Sequence, residues 1–240
     1  QLEVLRKLGD PNEFALKYYC QGIDEIYYED VVASLYERNS LLNIIEKTTR
    51  DIFVPITVGG GLRTVEDVAA VLRAGADKVS INTAAIRNPS IVASVAKKFG
   101  SQCMVLSIQA KKQGNSWEAY FDNGREHSGY DVVEWARKGQ ELGAGEIMLT
   151  SVDREGTAKG FDQQLLKAVT DEVDIPVIAS GGMGELQDIA TAVLVGGVDA
   201  VAIAHVLHYG ILDVSRIREH CIGESIPVRS IVDTNLGRIT

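Results

Sequence analysis

Apolar residues along the chain occur in short runs, and most runs are followed by a stretch in which apolar residues recur every three or four positions. The runs are rich in Val, Ile and Leu, which is typical of parallel strands that are covered on both faces. The stretches between them, such as 64–75 and 131–143, have the spacing of amphipathic helices and end at glycines. Seven strands are predicted, at 24–31, 54–60, 78–82, 103–109, 146–152, 176–182 and 200–206.

Strand and helix alternate in this way in a doubly wound sheet or in an eight-stranded barrel. One stretch differs, since SWEAYFDNGREHSGY (116–130) alternates polar and aromatic residues around an Asn-Gly pair. This pattern predicts a hairpin or an ordered loop after the fourth strand.

An internal repeat favours the barrel. The segment PITVGGG (55–61) is followed 121 residues later by PVIASGG (176–182), and Asp77 precedes its counterpart Asp199 by 122 residues. Two half-barrels related by a pseudo-twofold axis would produce such a repeat. We therefore predict one α/β domain over 1–240 with a (βα)8 TIM-barrel fold.

The repeat also indicates where an eighth strand would lie. The counterpart of MVLSIQ (104–109) falls on VRSIVD (228–233), which places Gln109 opposite Asp233. This strand would close the barrel beside the first strand. Residues 226–240 therefore form either the eighth strand and its loop or a surface tail.

Composition narrows the class of protein. Apolar residues make up 45% of the chain and charged residues 24%, as in ordinary soluble globular proteins. No apolar run has the length of about 20 residues that spans a bilayer, and no secretory signal is evident, so we expect a cytoplasmic location. The net charge of −9 argues against binding to nucleic acid or to a membrane surface. Cys20, Cys103 and Cys221 are too far apart in sequence to indicate a disulfide framework or a zinc site.

The functional face of a barrel lies at the carboxyl ends of its strands. Glycines at these ends would let backbone N–H groups approach an anion. Two such clusters are predicted, namely Gly61, Asn82 and Thr83 in the first half and Gly156, Gly182, Ala204 and His205 in the second. Glycines at strand ends also occur in simple turns, but a pair related by the repeat favours two phosphate sites and a long bis-phosphorylated substrate.

The segments TVGGGLRT, AGADKVSINTAA, GAGEIMLTSVDREGT, GFD and IPVIASGG resemble the cyclase subunit of imidazole glycerol phosphate synthase over about 1–229. In that family a barrel accepts ammonia from a glutamine amidotransferase. It converts a bis-phosphorylated ribulosyl-formimino aminoimidazole carboxamide ribotide into imidazole glycerol phosphate and aminoimidazole carboxamide ribotide. The resemblance implies this reaction, a heterodimer with the amidotransferase, no metal or organic cofactor, and one phosphate at each glycine cluster.

The chain departs from this family at the residues used for proton transfer. The family places catalytic aspartates at two symmetry-related strand ends, one of them in a pattern like SIDAK. This chain has SIQAK there, and the amide of Gln109 cannot act as a general acid or base. The other aspartate belongs to the family's first strand, which IVDTNLGRIT (231–240) resembles in circularly permuted order. Asp233 would then be the remaining catalytic carboxylate, in a chain of natural or rearranged order.

Further roles follow from the resemblance. Asp153 matches a position near the reaction centre, and Asp30 would orient the substrate, although either side chain could instead serve a structural role. Glu25, Lys78 and Glu146 lie near strand starts, where they would surround the entry of ammonia. The alternative for these three residues is a set of exposed salt bridges.

Two other functions remain open at this point. Relatives in surface-polysaccharide synthesis use glutaminase-derived ammonia to amidinate a sugar and also depart from the aspartate pair, so Gln109 favours that acceptor. A non-catalytic scaffold for a glutaminase is the third hypothesis, and the two anion sites argue against it. The cyclase of histidine biosynthesis is the leading hypothesis.

Overall fold

The computed structural model describes residues 8–30 and 39–229, with residues 39 and 40 described at the level of the backbone. The strands are β1 Ile26–Glu29, β2 Ile56–Gly59, β3 Lys78–Ile81, β4 Met104–Gln113, β5 Ser116–Phe121, β6 Glu126–Asp131, β7 Glu146–Ser151, β8 Val177–Ser180 and β9 Ala200–Ala202. The helices are α1 Pro11–Cys20, α2 Asn39–Asp51, α3 Val65–Arg73, α4 Thr83–Arg87, α5 Ser90–Phe99, α6 Val132–Glu141, α7 Gln163–Thr170, α8 Leu186–Leu194, α9 His205–His208 and α10 Val214–Gly223, with a short 3-10 turn at Ser101–Cys103.

Seven of the strands form one parallel sheet, and they pair in the order in which they occur along the chain. Each of these strands coincides with one of the seven predicted from the sequence. The hairpin is also confirmed, because β5 and β6 extend β4 by antiparallel pairing, with Gln109 opposite Tyr120.

The two edges of this sheet lie close together. The Tyr18 hydroxyl of α1 is 2.6 Å from Nδ1 of His208 in α9, and Arg218 of α10 donates to the Asp24 carboxylate just before β1 at 2.7 Å. The sheet therefore curves into a nearly closed α/β TIM barrel, as predicted. Residues 226–229 have no regular secondary structure, and the rest of the predicted eighth strand, including Asp233, lies outside the described residues.

Equivalent hydrogen bonds in the two halves confirm the repeat. The Ile56 N–H donates to the Asp77 carboxylate at 2.8 Å, and the Val177 N–H donates to the Asp199 carboxylate at 2.9 Å. In both places a carboxylate in the turn before one strand accepts a hydrogen bond from the start of the preceding strand. The sequence match thus corresponds to a structural match.

The outer and inner faces of the sheet differ in polarity. Alternate side chains of a strand point to opposite faces. The outward set packs under the helices as the main hydrophobic core and includes Ile56, Val58, Val79, Leu106, Ile108, Ile147, Leu149 and Val177. The inward positions alternate with these, and besides Gly59, Val105, Met148, Ile178, Ala200 and Ala202 they carry Tyr27, Thr57, Ser80, Ser107, Gln109, Thr150 and Ser180. The wall of the barrel interior is therefore mostly polar.

Candidate active site

Glycines shape the ends of β2 and β8 in the same way. Gly60 has a φ of +88°, and a Cβ added there would collide with the carbonyl group of Asp30. Gly181, the counterpart of Gly60 in the repeat, has a φ of +86°, and a Cβ there would lie 2.8 Å from the carbonyl oxygen of Ser151. At both ends the chain crosses closely over another segment, which only glycine permits.

The predicted first cluster lies together at the ends of β2 and β3. Gly61 follows β2 with a φ of +66°, and Asn82 precedes Thr83, the first residue of α4. The Asn82 amide donates to carbonyl oxygens of β4 and β5 at 3.0 and 3.1 Å, and the Thr83 hydroxyl accepts from the Asp122 N–H at 3.1 Å. Both side chains thus anchor the hairpin, and an anion would meet backbone N–H groups here.

The second cluster lies together at the ends of β8 and β9. Ala204 and His205 begin α9, next to the strand that ends before Gly182. The loop after β7, which contains Gly156, reaches the same place because the Gly160 N–H donates to the Gly182 carbonyl at 2.8 Å. The structure therefore brings together all four predicted members around one strand end.

Asp30 and Asp153 are the two described aspartates predicted near the mouth of the barrel. Asp30 lines a pocket with Gly60 and Gly61. Asp153 is exposed, and its carboxylate accepts from the Lys112 N–H at 2.8 Å, which ties the loop after β7 to the end of β4. Asp30 therefore lies beside the first glycine cluster, whereas Asp153 has a structural hydrogen bond.

Gln109 presents an amide at the mouth. It lies between Thr150 of β7 and Tyr120 of β5 in the sheet, and its Oε1 is buried with no hydrogen-bond partner among the described residues. A buried carbonyl without a donor is costly, so this oxygen is suited to accept a hydrogen bond from a ligand. The amide can bind a substrate but cannot exchange protons with it.

Sequence reasoning missed Glu29, the residue before Asp30. The Tyr27 hydroxyl donates to its carboxylate and also lies 3.0 Å from the Ser80 hydroxyl. Glu29 as a whole residue is exposed. Its carboxyl is nevertheless desolvated by the protein around it, which raises the pKa of Glu29 to about 7, opposed by the Tyr27 hydrogen bond and reinforced by repulsion from Asp30 and Glu155. The alternation of β1 could have identified Glu29 as an inward residue.

The predicted charged ring is present at the opposite end of the barrel. Lys78 Nζ donates to both carboxylate oxygens of Glu25 at 3.0 Å and to Oε1 of Glu146 at 2.6 Å. Burial lowers the pKa of Lys78, but the bonds to Glu146 and Glu25 outweigh it, and the net effect is a raised pKa. The ammonium group therefore stays charged and bridges three strands at the floor.

Neither a metal-binding cluster nor a membrane-spanning helix is found in the described part of the chain. Within it, no three His, Cys, Asp or Glu side chains are grouped so that they could hold a metal ion. The helices described there are too short or too polar to cross a membrane.

Comparison with known proteins gives consistent matches. The sequence model of a family described as histidine biosynthesis protein matches residues 2–213. The imidazole glycerol phosphate synthase subunit HisF of Legionella pneumophila is 60% identical over 188 residues, which are 78% of this chain and 89% of that protein. The HisF subunits of Dehalococcoides mccartyi strains BAV1 and CBDB1 are each 44% identical over 225 residues, which are 94% of this chain and 89% of each relative.

Proposed function

This chain belongs to the HisF family of histidine biosynthesis proteins, and on that premise we propose that it is the cyclase subunit of a cytoplasmic imidazole glycerol phosphate synthase. The reaction is that of a carbon–nitrogen lyase, in which ammonia enters a bis-phosphorylated ribulosyl-formimino aminoimidazole carboxamide ribotide. The observation that carries this proposal is the pair of equivalent glycine turns on one mouth, at Gly60–Gly61 and at Gly181–Gly182.

The two turns fit a substrate with a phosphate at each end. Backbone N–H groups at glycine turns and helix starts bind anions without a compensating basic side chain. This matters in a chain of net charge −9, which would otherwise repel a doubly phosphorylated substrate. One phosphate binds at Gly61, Asn82 and Thr83, and the other binds at Gly156, Gly182, Ala204 and His205. Asp30, Asp153 and Gln109 then face the middle of the substrate.

The partner we propose is a glutamine amidotransferase that docks at the floor of the barrel. Ammonia released there would pass the gate formed by Glu25, Lys78 and Glu146. The hydroxyls of Thr57 and Ser80 lie further up the inner wall, where they could exchange hydrogen bonds with ammonia during its passage. The polar interior supports this route, because ammonia would lose its hydration less completely than in a hydrocarbon-filled barrel.

The direct test is turnover of the bis-phosphorylated ribotide with ammonium chloride at high pH, followed by loss of its absorbance. We expect wild type to form imidazole glycerol phosphate. A protein that binds inorganic phosphate at the mouth but leaves this substrate unchanged would contradict the cyclase and favour another ammonia acceptor, such as a sugar of surface polysaccharides.

Asp233 is tested in the same assay. If residues 226–240 provide the family's first strand, Asp233→Asn abolishes turnover and leaves folding intact. Full turnover by Asp233→Asn would instead make this segment a tail.

A matched pair of glycine variants tests the phosphate sites. Gly182→Ala should raise KM at least tenfold, because the added Cβ collides with the Gly160 carbonyl and displaces the turn. Gly114→Ala is the control, since Gly114 lies in the turn between β4 and β5 with a φ of +59° and no heavy atom within 4 Å of the added Cβ. Equal KM values for the two variants would show that the glycine turn is not part of the binding site.

A further inference from the structure

Glu29 is the one described carboxyl at the mouth that has a pKa near neutrality, and the cyclase chemistry has given it no role so far. We propose that Glu29 is a catalytic acid–base residue that performs the proton transfer for which Gln109 lacks a carboxyl group. This inference rests on the cyclase function proposed above.

The direction of Glu29 follows from the packing of β1. Ile26 is buried among helix residues, and the Tyr28 hydroxyl is 3.0 Å from the Thr48 hydroxyl of α2, so both side chains point outward. Tyr27 and Glu29 alternate with them and point into the barrel. A Cβ on Gly59 of β2 would collide with the Glu29 carboxylate and lie 2.6 Å from the Tyr27 hydroxyl, so the two side chains cross the inner face of β2.

The ion cluster at the floor shows how residues at the same height along the barrel axis are offset from their hydrogen-bonded partners on neighbouring strands. Through Thr57, Lys78 is paired in register with Tyr27, yet its ammonium contacts Glu25, which lies two residues before Tyr27 and just before β1. From each strand to the next, the residue at the same height along the barrel axis therefore lies about one position further along the chain than the hydrogen-bonded partner. The tilted strands of a barrel require such an offset.

The same tilt places Glu29 near Gln109. Pairing leads from Glu29 across β2 and β3 to Val105 of β4. Because β4 is three strands away from β1, the residue of β4 at the height of Glu29 lies about three positions after Val105, at Ile108. Glu29 thus lies almost level with Gln109, on the other side of the mouth and below the two glycine clusters. A substrate held between the clusters would pass over both side chains.

The surroundings of Glu29 suit proton exchange. The charged and titratable groups that act on it are Tyr27, Asp30 and Glu155. An acid–base group works best when its pKa is near the working pH, because both forms are then populated. Glu29 would accept a proton from the substrate and return it later in the same turnover, so its own protonation is unchanged overall. The Tyr27 hydroxyl stabilises the charged form, and Gln109 holds the substrate without exchanging protons.

The experiment compares wild type with Glu29→Gln in ammonium-dependent turnover of the bis-phosphorylated ribotide. We expect kcat to fall at least about 100-fold, the usual contribution of a general acid or base, with KM changed less than threefold. The inflection of the wild-type kcat/KM profile near pH 7 should disappear. Glu29→Asp keeps a carboxyl and should retain part of the activity, which a purely structural role would not require.

Tyr27→Phe provides a second readout that leaves Glu29 in place. Because the Tyr27 hydrogen bond lowers the pKa of Glu29, its loss should move the inflection to higher pH. If Glu29→Gln does not fold, the pH profile of Tyr27→Phe by itself tests the role of Glu29.

A failure of the role of Glu29 can be distinguished from a failure of the proposed cyclase function. Wild-type turnover together with threefold or smaller loss in Glu29→Gln and an unmoved profile in Tyr27→Phe would overturn the role of Glu29 and leave the cyclase standing. Absence of turnover by wild type would overturn the proposed function and this inference with it.

Discussion

The ammonium group of Lys78 holds two carboxylates at the floor of the barrel, and its side chain is only 13% exposed. Lys78→Met leaves Glu25 and Glu146 close together without their cation. Fully buried ion pairs lose 3–5 kcal/mol when one partner is removed. Because Glu25 is 43% exposed, we expect a smaller loss in the free energy of unfolding, about 2 kcal/mol, measured by urea denaturation.

Lys47→Met is the matched control. The Lys47 ammonium lies 4.0 Å from the Asp10 carboxylate, and both side chains are well exposed. Exposed pairs contribute little, so this variant should change the free energy of unfolding by less than about 0.5 kcal/mol. Equal effects of the two variants would show that the cluster at the floor is energetically an ordinary surface pair.

Glu29 should also affect stability as pH changes. Its folded-state pKa of about 7 lies above the ordinary glutamate pKa of 4.5, so between these values the folded protein binds more protons than the unfolded chain. Stability due to this group is therefore greatest below about pH 4.5 and falls until about pH 7. Relative to wild type, Glu29→Gln should gain stability between pH 5 and pH 8 in parallel urea denaturations. A constant difference across this range would mean that Glu29 titrates normally.

The sequence predicted the positions of some residues of the site better than those of others. Gly60 and Gly181 could be placed because the repeat gives them equivalent strand ends, and the structure shows why only glycine fits. Asn82 and Thr83 were predicted at the first phosphate site, and the bonds of their side chains to the hairpin could not be predicted because they depend on a contact distant in sequence. Glu29 was missed because its desolvation depends on the closed barrel rather than on its neighbours in sequence.

At the level of elements, α3 and α8 begin in the same way. The Asp67 carboxylate accepts from the Thr64 N–H at 2.9 Å, and the Asp188 carboxylate accepts from the Glu185 N–H at 2.9 Å. Loss of such a cap costs about 1 kcal/mol. We expect Asp67→Ala and Asp188→Ala to lower the free energy of unfolding by similar amounts, measured by thermal and urea denaturation.

The controls for these caps are also related by the repeat. Glu66 and Gln187 are exposed residues one position before the capping aspartates. Glu66→Ala and Gln187→Ala should each change stability by less than about 0.5 kcal/mol. A large effect of Asp67→Ala with none of Asp188→Ala would mean that the two halves share their geometry but not their energetics.

Continuous Val, Ile and Leu runs predicted the seven described strands of the barrel, because they distinguish buried parallel strands from the helices between them, and the alternation of polar and aromatic residues predicted a hairpin or an ordered loop. Strand bounds were less accurate. The last predicted strand, 200–206, ends at Ala202 in the structure because α9 begins at His205. The eighth strand, predicted at 228–233, stays a prediction because most of it lies outside the described residues.

For the molecule as a whole, Arg218 joins the carboxyl-terminal part of the chain to the start of the barrel. Its guanidinium is nearly buried and donates to the Gly22 carbonyl at 2.8 Å, to the Asp24 carboxylate at 2.7 Å and to the Arg229 carbonyl at 2.8 Å. Arg218→Met leaves all three acceptors without this donor. We expect a loss of about 3 kcal/mol in the free energy of unfolding.

Arg229→Met provides the comparison for this junction. Arg229 also contacts the Asp24 carboxylate, at 2.9 Å, but its side chain is 55% exposed. Its removal should cost less than about 1 kcal/mol, since Arg218 still neutralises Asp24. A cost as large as that of Arg218→Met would show that the exposed arginine, rather than the buried one, connects the two ends of the barrel.

The polar wall inside the barrel has a thermodynamic consequence. Unfolding raises the heat capacity through the apolar surface that it exposes and lowers it through the polar surface. An interior lined by Thr57, Ser80, Ser107 and Thr150 exposes less hydrocarbon than one filled with branched aliphatic side chains. The heat-capacity change of unfolding is therefore smaller than the size of the chain alone would give. Its stability curve is correspondingly broad, so the protein keeps more of its maximal stability on both cooling and warming.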